Sequence, residues 1–137
     1  MAVTNTGIFV QAPLTAVGIV TAANTTWTSS PDDTVTLLTA GSDGARVHRV
    51  AGIPRATITA GFMSLYVSID GGSNKLLAFA EGVAANTVST TSTPVLVPFS
   101  AITEAAPLIL GPADVLYAGY SIAVSDGFSF IADYYNY

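Results

Sequence analysis

His48 is the only histidine in the chain and therefore the residue best suited to act as a general base or an imidazole metal ligand. Its near neighbours are Arg46 and Arg49, and no carboxylate lies close to it in the sequence. Acid–base catalysis needs titratable groups held in a defined pair, and metal sites need several ligands together. The sequence therefore predicts that His48 is a polar residue on the face of a strand.

The acidic side chains are the other candidates for chemistry. Asp32 and Asp33 are adjacent, and Asp70 precedes two glycines; loop carboxylates of this kind supply calcium sites in other proteins. The sequence lacks the regular Asp spacing of a calcium loop, however, and Asp-Gly is an ordinary turn sequence. Glu81 and Glu104 are the two glutamates that a glycosidase mechanism would require, but nothing in the sequence brings them together. Turn and surface roles are the simpler interpretation of these acids.

Motifs for nucleophilic or phosphate chemistry are missing from the sequence. It contains neither Gly-x-Ser-x-Gly nor a phosphate-binding loop. Because the chain has no cysteine, disulfides, thiolate metal sites and cysteine nucleophiles are excluded. We therefore predict a protein that is not an enzyme and that has no cofactor, metal or catalytic residue.

The composition points towards an assembly. Charged residues make up 9% of the chain and hydrophobic residues 50%, whereas about 25% of the residues in ordinary domains are charged. The exposed surface of such a chain is unusually apolar, and apolar surface of that kind is usually covered by a partner. Only four residues are basic, which is too few to neutralise a phosphate backbone. We expect protein partners and no nucleic acid.

The longest uncharged stretch, residues 1–31, does not have the pattern of a signal peptide or a transmembrane helix. No basic residue precedes it, as one would in a signal peptide. Polar residues interrupt it, and Gly7, Pro13 and Gly18 oppose a spanning helix of about 20 apolar residues. The sequence predicts neither targeting nor membrane insertion.

Alternation with period two dominates the chain and predicts β-strands. In residues 62–70 the residues Met63, Leu65, Val67 and Ile69 share one face, which predicts a core-facing side. The turn cluster at 70–74 and a second strand at 75–81 then complete a hairpin.

Further turns and strands follow the same pattern. We predict hairpins of 34–39 with 45–53 and of 115–125 with 128–135, in which Phe128, Phe130 and Ala132 share a face. Single strands are expected at 14–21, 95–99 and 108–110, the last two confined to edges by prolines, and one helical turn is expected at 102–106. The prediction is an all-β protein: a single-domain antiparallel β-sandwich over residues 1–137, jelly-roll-like, with about eight strands.

Aromatic residues at the end of the chain and in one loop are candidates for an interface. Tyrosine is enriched at interfaces because it buries a large ring while its hydroxyl finds a polar partner. Residues 1–12 are uncharged and are predicted to form an extended arm that reaches a neighbouring subunit. The predicted interface residues are Ile8, Phe9, Trp27, Tyr134, Tyr135 and Tyr137.

Several segments resemble small virion proteins of tailed bacteriophages, particularly head decoration or cement proteins. They are Thr-Gly-Ile-Phe-Val-Gln-Ala-Pro near the start, Thr-Leu-Leu-Thr-Ala-Gly-Ser-Asp-Gly-Ala-Arg-Val at 36–47, the 65–77 hairpin, and Pro-Leu-Ile-Leu-Gly-Pro-Ala-Asp-Val-Leu-Tyr-Ala-Gly-Tyr-Ser at 107–121. The last is similar to a strand-turn-strand of β-sandwich modules that usually carry Pro-Gly-Asp. Here the turn departs from that pattern, with Ala113 between Pro112 and Asp114.

The resemblance implies a virion protein that coats a capsid. Decoration proteins bind an icosahedral shell, commonly as trimers or dimers on symmetry axes. The implied partners are further copies of the chain, expected as a homotrimer, and the major capsid protein or other virion proteins. Two alternatives stay open: a tail, neck or fibre component that binds a receptor or glycan, and a non-viral, lectin-like binding module.

Overall fold

A computed structural model shows that the chain folds into two antiparallel β-sheets packed face to face. The structure describes residues 12–28, 31, 33–71 and 74–137. Nine strands are formed from the short, β-branched and aromatic segments that alternate with turns. They are β1 (Pro13–Val20), β2 (Val35–Thr39), β3 (Ala45–Pro54), β4 (Gly61–Ser68), β5 (Leu76–Val83), β6 (Val97–Pro98), β7 (Leu108–Leu110), β8 (Val115–Tyr120) and β9 (Phe128–Asn136).

The order of the strands is that of a jelly roll. The first sheet runs β1-β9-β3-β6, with β7 also paired to β3, and the second runs β2-β8-β4-β5. Because β6 and β7 pair with opposite ends of β3, they share one strand position, and each sheet has four positions. Eight positions in two antiparallel sheets define the jelly roll, so the predicted fold class is confirmed.

Two of the predicted hairpins are wrong. The structure places β2 in the second sheet and β3 in the first, and it likewise separates β8 from β9. The turns themselves are present: Gly44 and Gly127 have positive φ values of 96° and 93°, which glycine adopts without a steric penalty. Each turn therefore carries the chain across the sandwich. The third prediction, the hairpin of β4 with β5, is confirmed.

The core lies between the sheets and is centred on aromatic rings. The rings of Tyr120 and Phe128 stack with centroids 4.3 Å apart, and Phe128 lies 5.3 Å from Phe130. None of the three side chains is exposed to solvent. Leu116 and Ala118 on β8 and Ala132 on β9 are also fully buried. The shared face predicted for Phe128, Phe130 and Ala132 is therefore confirmed as the inward face of β9.

Strand β4 is buried on both faces, unlike the prediction of one core face. Met63 and Leu65 point into the core as expected, but Tyr66 and Ser68 on the opposite face are also fully buried. Ile69 was predicted to face the core and is instead 70% exposed, because β4 ends at Ser68. A covering segment must therefore lie over the outer face of the second sheet, the face turned away from the first.

The short strands and loops complete the fold. Pro98 pairs with Ala51 at the margin of the first sheet, as predicted from the exclusion of proline from central strands. Residues 102–106 were predicted as a helical turn, which is wrong: Thr103 and Ala106 exchange two backbone hydrogen bonds of 3.2 Å in a non-helical loop. In the part of the chain that is described, no helix is long and apolar enough to cross a membrane. The predicted arm at 1–12 lies outside the described residues except for Ala12.

Candidate interaction surfaces

His48 lies in β3 at a bulge, where the pairing with β9 skips from Val47 to Arg49. Its ring stacks on Tyr135 with centroids 5.0 Å apart and an interplanar angle of 28°. The buried Nδ1 atom has no hydrogen-bond partner among the described residues. In the described ranges no three His, Asp or Glu side chains come together. The position of His48 on a strand face is as predicted, and its contacts are with an aromatic ring.

A small polar cluster surrounds this bulge on the outer face of the first sheet. Arg49 Nη1 lies 3.0 Å from Asp133 Oδ2, and Thr15 Oγ1 donates a 3.2 Å hydrogen bond to Asp133 Oδ1. Arg46 Nη2 donates to the backbone carbonyl of Glu104 at 2.9 Å. Arg46 and Arg49 therefore make structural contacts within the chain.

Two of the acids considered for chemistry, Asp70 and Glu81, have structural roles. Asp70 accepts hydrogen bonds from Ser68 Oγ at 3.0 Å and from the Asn74 side chain at 2.7 Å, so it organises the loop between β4 and β5. Glu81 Oε1 accepts from the backbone and hydroxyl of Ser100 at 2.9 and 2.8 Å. Asp33 is exposed, and Asp32 lies outside the described residues.

The predicted interface residues that the structure describes lie in different places. Tyr134 and Tyr135 are consecutive in β9, so they point to opposite faces: Tyr134 packs against the core, and Tyr135 stacks on His48. Tyr137 donates its backbone N–H to Gly44 at 3.2 Å. Ile8 and Phe9 lie outside the described residues. The end of the chain is thus tied to its own fold through β9 and the turn before β3.

Trp27 belongs to a different surface, on the second sheet. Its ring meets that of Phe62 edge to face, with centroids 6.2 Å apart and an interplanar angle of 74°. Trp27 is 44% exposed and Phe62 is 53% exposed. We call these two residues the aromatic pair. The edge-to-face contact stabilises the positions of the two rings, which still present a large apolar area to solvent.

Sequence reasoning missed the segment that supports the aromatic pair. After β1 the chain pairs Ala23 with Tyr120, and Asn24 Nδ2 donates a 2.7 Å hydrogen bond to Tyr66 Oη. The segment then crosses the outer face of the second sheet and brings Trp27 to Phe62. The large ring of Tyr66, between Ser64 and Ser68 on the outer face of β4, was the signal for this cover.

Exposed apolar side chains also occur on the outer face of the first sheet. Val17 and Ile19 on β1 are 63% and 44% exposed, and Ile109 on β7 is 57% exposed. Two surface cavities of about 140 and 110 Å³ fall below the roughly 300 Å³ of small-molecule sites. Neither cavity is large enough to enclose a drug-sized ligand.

Comparisons with known proteins yield two distant structures. No protein-family model and no curated protein sequence matches the chain. A crystal structure of the infectious bursal disease virus particle is similar at 14% identity, with a TM-score of 0.33 over 99% of this chain and 39% of that chain. A structure of the Gt strain of the same virus is similar at 14% identity, with a TM-score of 0.25 over 98% and 43%. The chain spans about two fifths of the length of these two proteins.

Proposed function

We propose that the chain is a non-enzymatic structural protein of a virus particle that acts as a decoration or cement protein on a bacteriophage head shell. The jelly roll is a fold of viral capsid and lectin domains and of cupins, but a fold alone does not decide between such roles. The observation that carries the proposal is the exposed apolar surface on the outer faces of both sheets. It includes the aromatic pair on one sheet and Val17, Ile19 and Ile109 on the other.

Adhesion is the mechanism that fits this surface. A chain with 9% charged residues has few long, mobile side chains to immobilise and few charges to desolvate when two surfaces close. Copies repeated by symmetry multiply the effect of each weak contact. A protein of this kind stabilises a shell by bridging its subunits through apolar and hydrogen-bonded contacts.

The test is binding to empty head shells assembled without the protein, measured by co-sedimentation. We expect the wild-type chain to co-sediment, with little change between low and high salt because apolar contacts are not screened. Trp27→Ala should weaken binding by about tenfold or more, as removal of an interface aromatic does at a hot spot. Val95→Ala, at a side chain that is 58% exposed elsewhere, is the matched control. Failure of the wild-type chain to bind any shell would refute the proposal.

The aromatic pair also supports the second candidate, a tail, neck or fibre component that binds glycan. Exposed tryptophan rings provide flat apolar faces of the kind that sugar rings stack on, and Trp27 is 44% exposed. A glycan array distinguishes the two roles. Binding to a defined glycan that Trp27→Ala abolishes, without binding to shells, would favour the second candidate.

A further inference from the structure

Three of the four sheet margins carry features that prevent pairing with another strand. One margin is shared by β6, which has two residues including Pro98, and β7, which has three residues. Strand β2 has five residues, and its register shifts between Thr36 and Leu38. The pairing of β5 with β4 also shifts, and β5 carries Glu81. Shortness, proline, bulges and charge are the devices by which proteins protect the edges of sheets.

Strand β1 has none of these devices along its length. It runs for eight residues with proline only at its first position and with no charged side chain. Its register with β9 is unbroken from Pro13 opposite Tyr135 to Val20 opposite Phe128. Among the described residues β9 is the strand paired with it, and no described strand pairs with its other edge. A long, flat, uncharged edge is a template for strand addition.

We propose that β1 pairs antiparallel with β1 of a second copy across a two-fold axis at Val17. A two-fold interface must be complementary to itself, and the side chains of β1 are arranged symmetrically about Val17. In this register Ala16 meets Gly18, Thr15 meets Ile19, and Leu14 meets Val20. Each pair is matched in size or branching, and Thr15, Val17 and Ile19 stay on the same outer face in both copies.

The charges around β1 permit this contact. On the outer face the nearest carboxylate is Asp133, which Arg49 neutralises at 3.0 Å and to which Thr15 donates. The exposed Asp33 lines the crevice beside Ile19. In the proposed register the two Ile19 residues are four positions apart, or roughly 13 Å. That separation of the two Ile19 residues exceeds the screening length of about 8 Å at physiological salt, so repulsion between the two Asp33 carboxylates is expected to be weak.

The size of the contact sets its strength. Eight residues from each copy are fewer than the roughly 20–30 a side of a standard stable interface. We therefore expect pairing of the purified chain to require micromolar concentrations. On a particle, where copies are concentrated, the same contact would be occupied more fully.

Single cysteine variants test the pairing, since the chain itself contains no cysteine. Opposed residues in antiparallel strands have Cα atoms about 4.5–5.5 Å apart, within the range of disulfides. We expect Val17→Cys to form a covalent dimer under mild oxidation. An equimolar mixture of Thr15→Cys and Ile19→Cys should cross-link more than either variant alone. Val95→Cys, with similar exposure, is the control and should remain largely monomeric.

Sedimentation velocity supplies an independent reading. Wild-type protein should form a dimer whose population rises with concentration. Val17→Lys should abolish the dimer because the substitution places two lysines at the two-fold axis. Val95→Lys should leave the dimer intact. Circular dichroism melting confirms that each variant is folded. If Val17→Lys is not folded, the cysteine variants decide whether β1 pairs with a second copy.

Cross-linking of Val17→Cys no greater than that of Val95→Cys would overturn the proposal. A trimer that persists in Val17→Lys would equally overturn it. The experiment uses the purified chain without shells, so the pairing and the decoration role can fail independently.

Discussion

The side-chain amide of Asn24 donates a 2.7 Å hydrogen bond to the phenol oxygen of Tyr66. That phenol in turn donates a 2.7 Å bond to the backbone carbonyl of Thr26. Asn24 is 5% exposed and Tyr66 is fully buried. Because Tyr66 lies in β4 and Asn24 lies in the segment after β1, the two bonds hold that segment against the outer face of the second sheet. The position of Trp27 depends on them.

Removing the Tyr66 hydroxyl should therefore loosen the segment. Tyr66→Phe takes away the acceptor of the Asn24 amide and leaves a buried donor unsatisfied, which costs about 1–3 kcal/mol. Urea denaturation measures the loss in the free energy of unfolding. Tyr117→Phe is the control, because it keeps the ring that lies 4.3 Å from Lys75 Nζ and should change stability by less than about 0.5 kcal/mol. An equal effect of both substitutions would contradict the assigned role of Tyr66.

The turn before β8 stores strain at Ala113. Its φ value is +61°, in the left-handed region that costs a non-glycine residue about 1 kcal/mol or more. The turn is held by a 2.8 Å bond from the Gly111 N–H to Asp114 Oδ2 and by a 3.2 Å bond from the Ala113 N–H to the Gly41 carbonyl. At this position the β-sandwich modules to which the segment is similar usually carry glycine.

Ala113→Gly should accordingly stabilise the protein. Relief of strain outweighs the extra entropy that glycine gives the unfolded chain, with a net gain of up to about 1 kcal/mol. The exposed Ala105 lies in a loop without a positive φ, so Ala105→Gly should instead destabilise the protein by about 0.4–1 kcal/mol. Thermal and urea denaturation of the two variants show whether each substitution raises or lowers the free energy of unfolding. Destabilisation by both would show that the turn is not strained at Ala113.

Stability should decline in alkaline solution because of Tyr120. Burial raises the pKa of the Tyr120 phenol above its ordinary value of 10.0, and its hydroxyl donates to the Thr59 carbonyl at 3.3 Å. The folded protein thus holds this proton more tightly than the unfolded chain does. The free energy of unfolding is highest below about pH 10 and falls as the pH rises through the raised pKa.

Tyr120→Phe separates this effect from the ionisation of other groups. The variant should be less stable at neutral pH by about 0.5–1.5 kcal/mol through loss of the hydrogen bond, but it should lose less stability above about pH 10. Urea denaturation across this pH range gives both curves. Parallel curves would assign the alkaline decline to other residues.

The alternation of residue types in the sequence was sufficient to predict the strands and most of their inward-facing side chains. Alternation placed Met63 and Leu65 towards the core of β4 and Phe128 and Phe130 towards the core of β9, because successive side chains of a strand point to opposite sides. Charge scarcity also predicted an exposed apolar surface. It did not predict which rings form that surface, since Trp27 meets Phe62 only when the segment after β1 crosses the second sheet.

The amino-acid sequence by itself determined that this protein is built from short antiparallel strands, where most of its turns fall and which side chains face inwards. Only the tertiary structure decided that the turns after β2 and β8 lead into the opposite sheet. The residues of a turn specify the reversal of the chain, whereas the sheet that receives the next strand is chosen by long-range pairing. Strand β9 lies between β1 and β3 because that position buries Phe128, Phe130 and Ala132 against the second sheet.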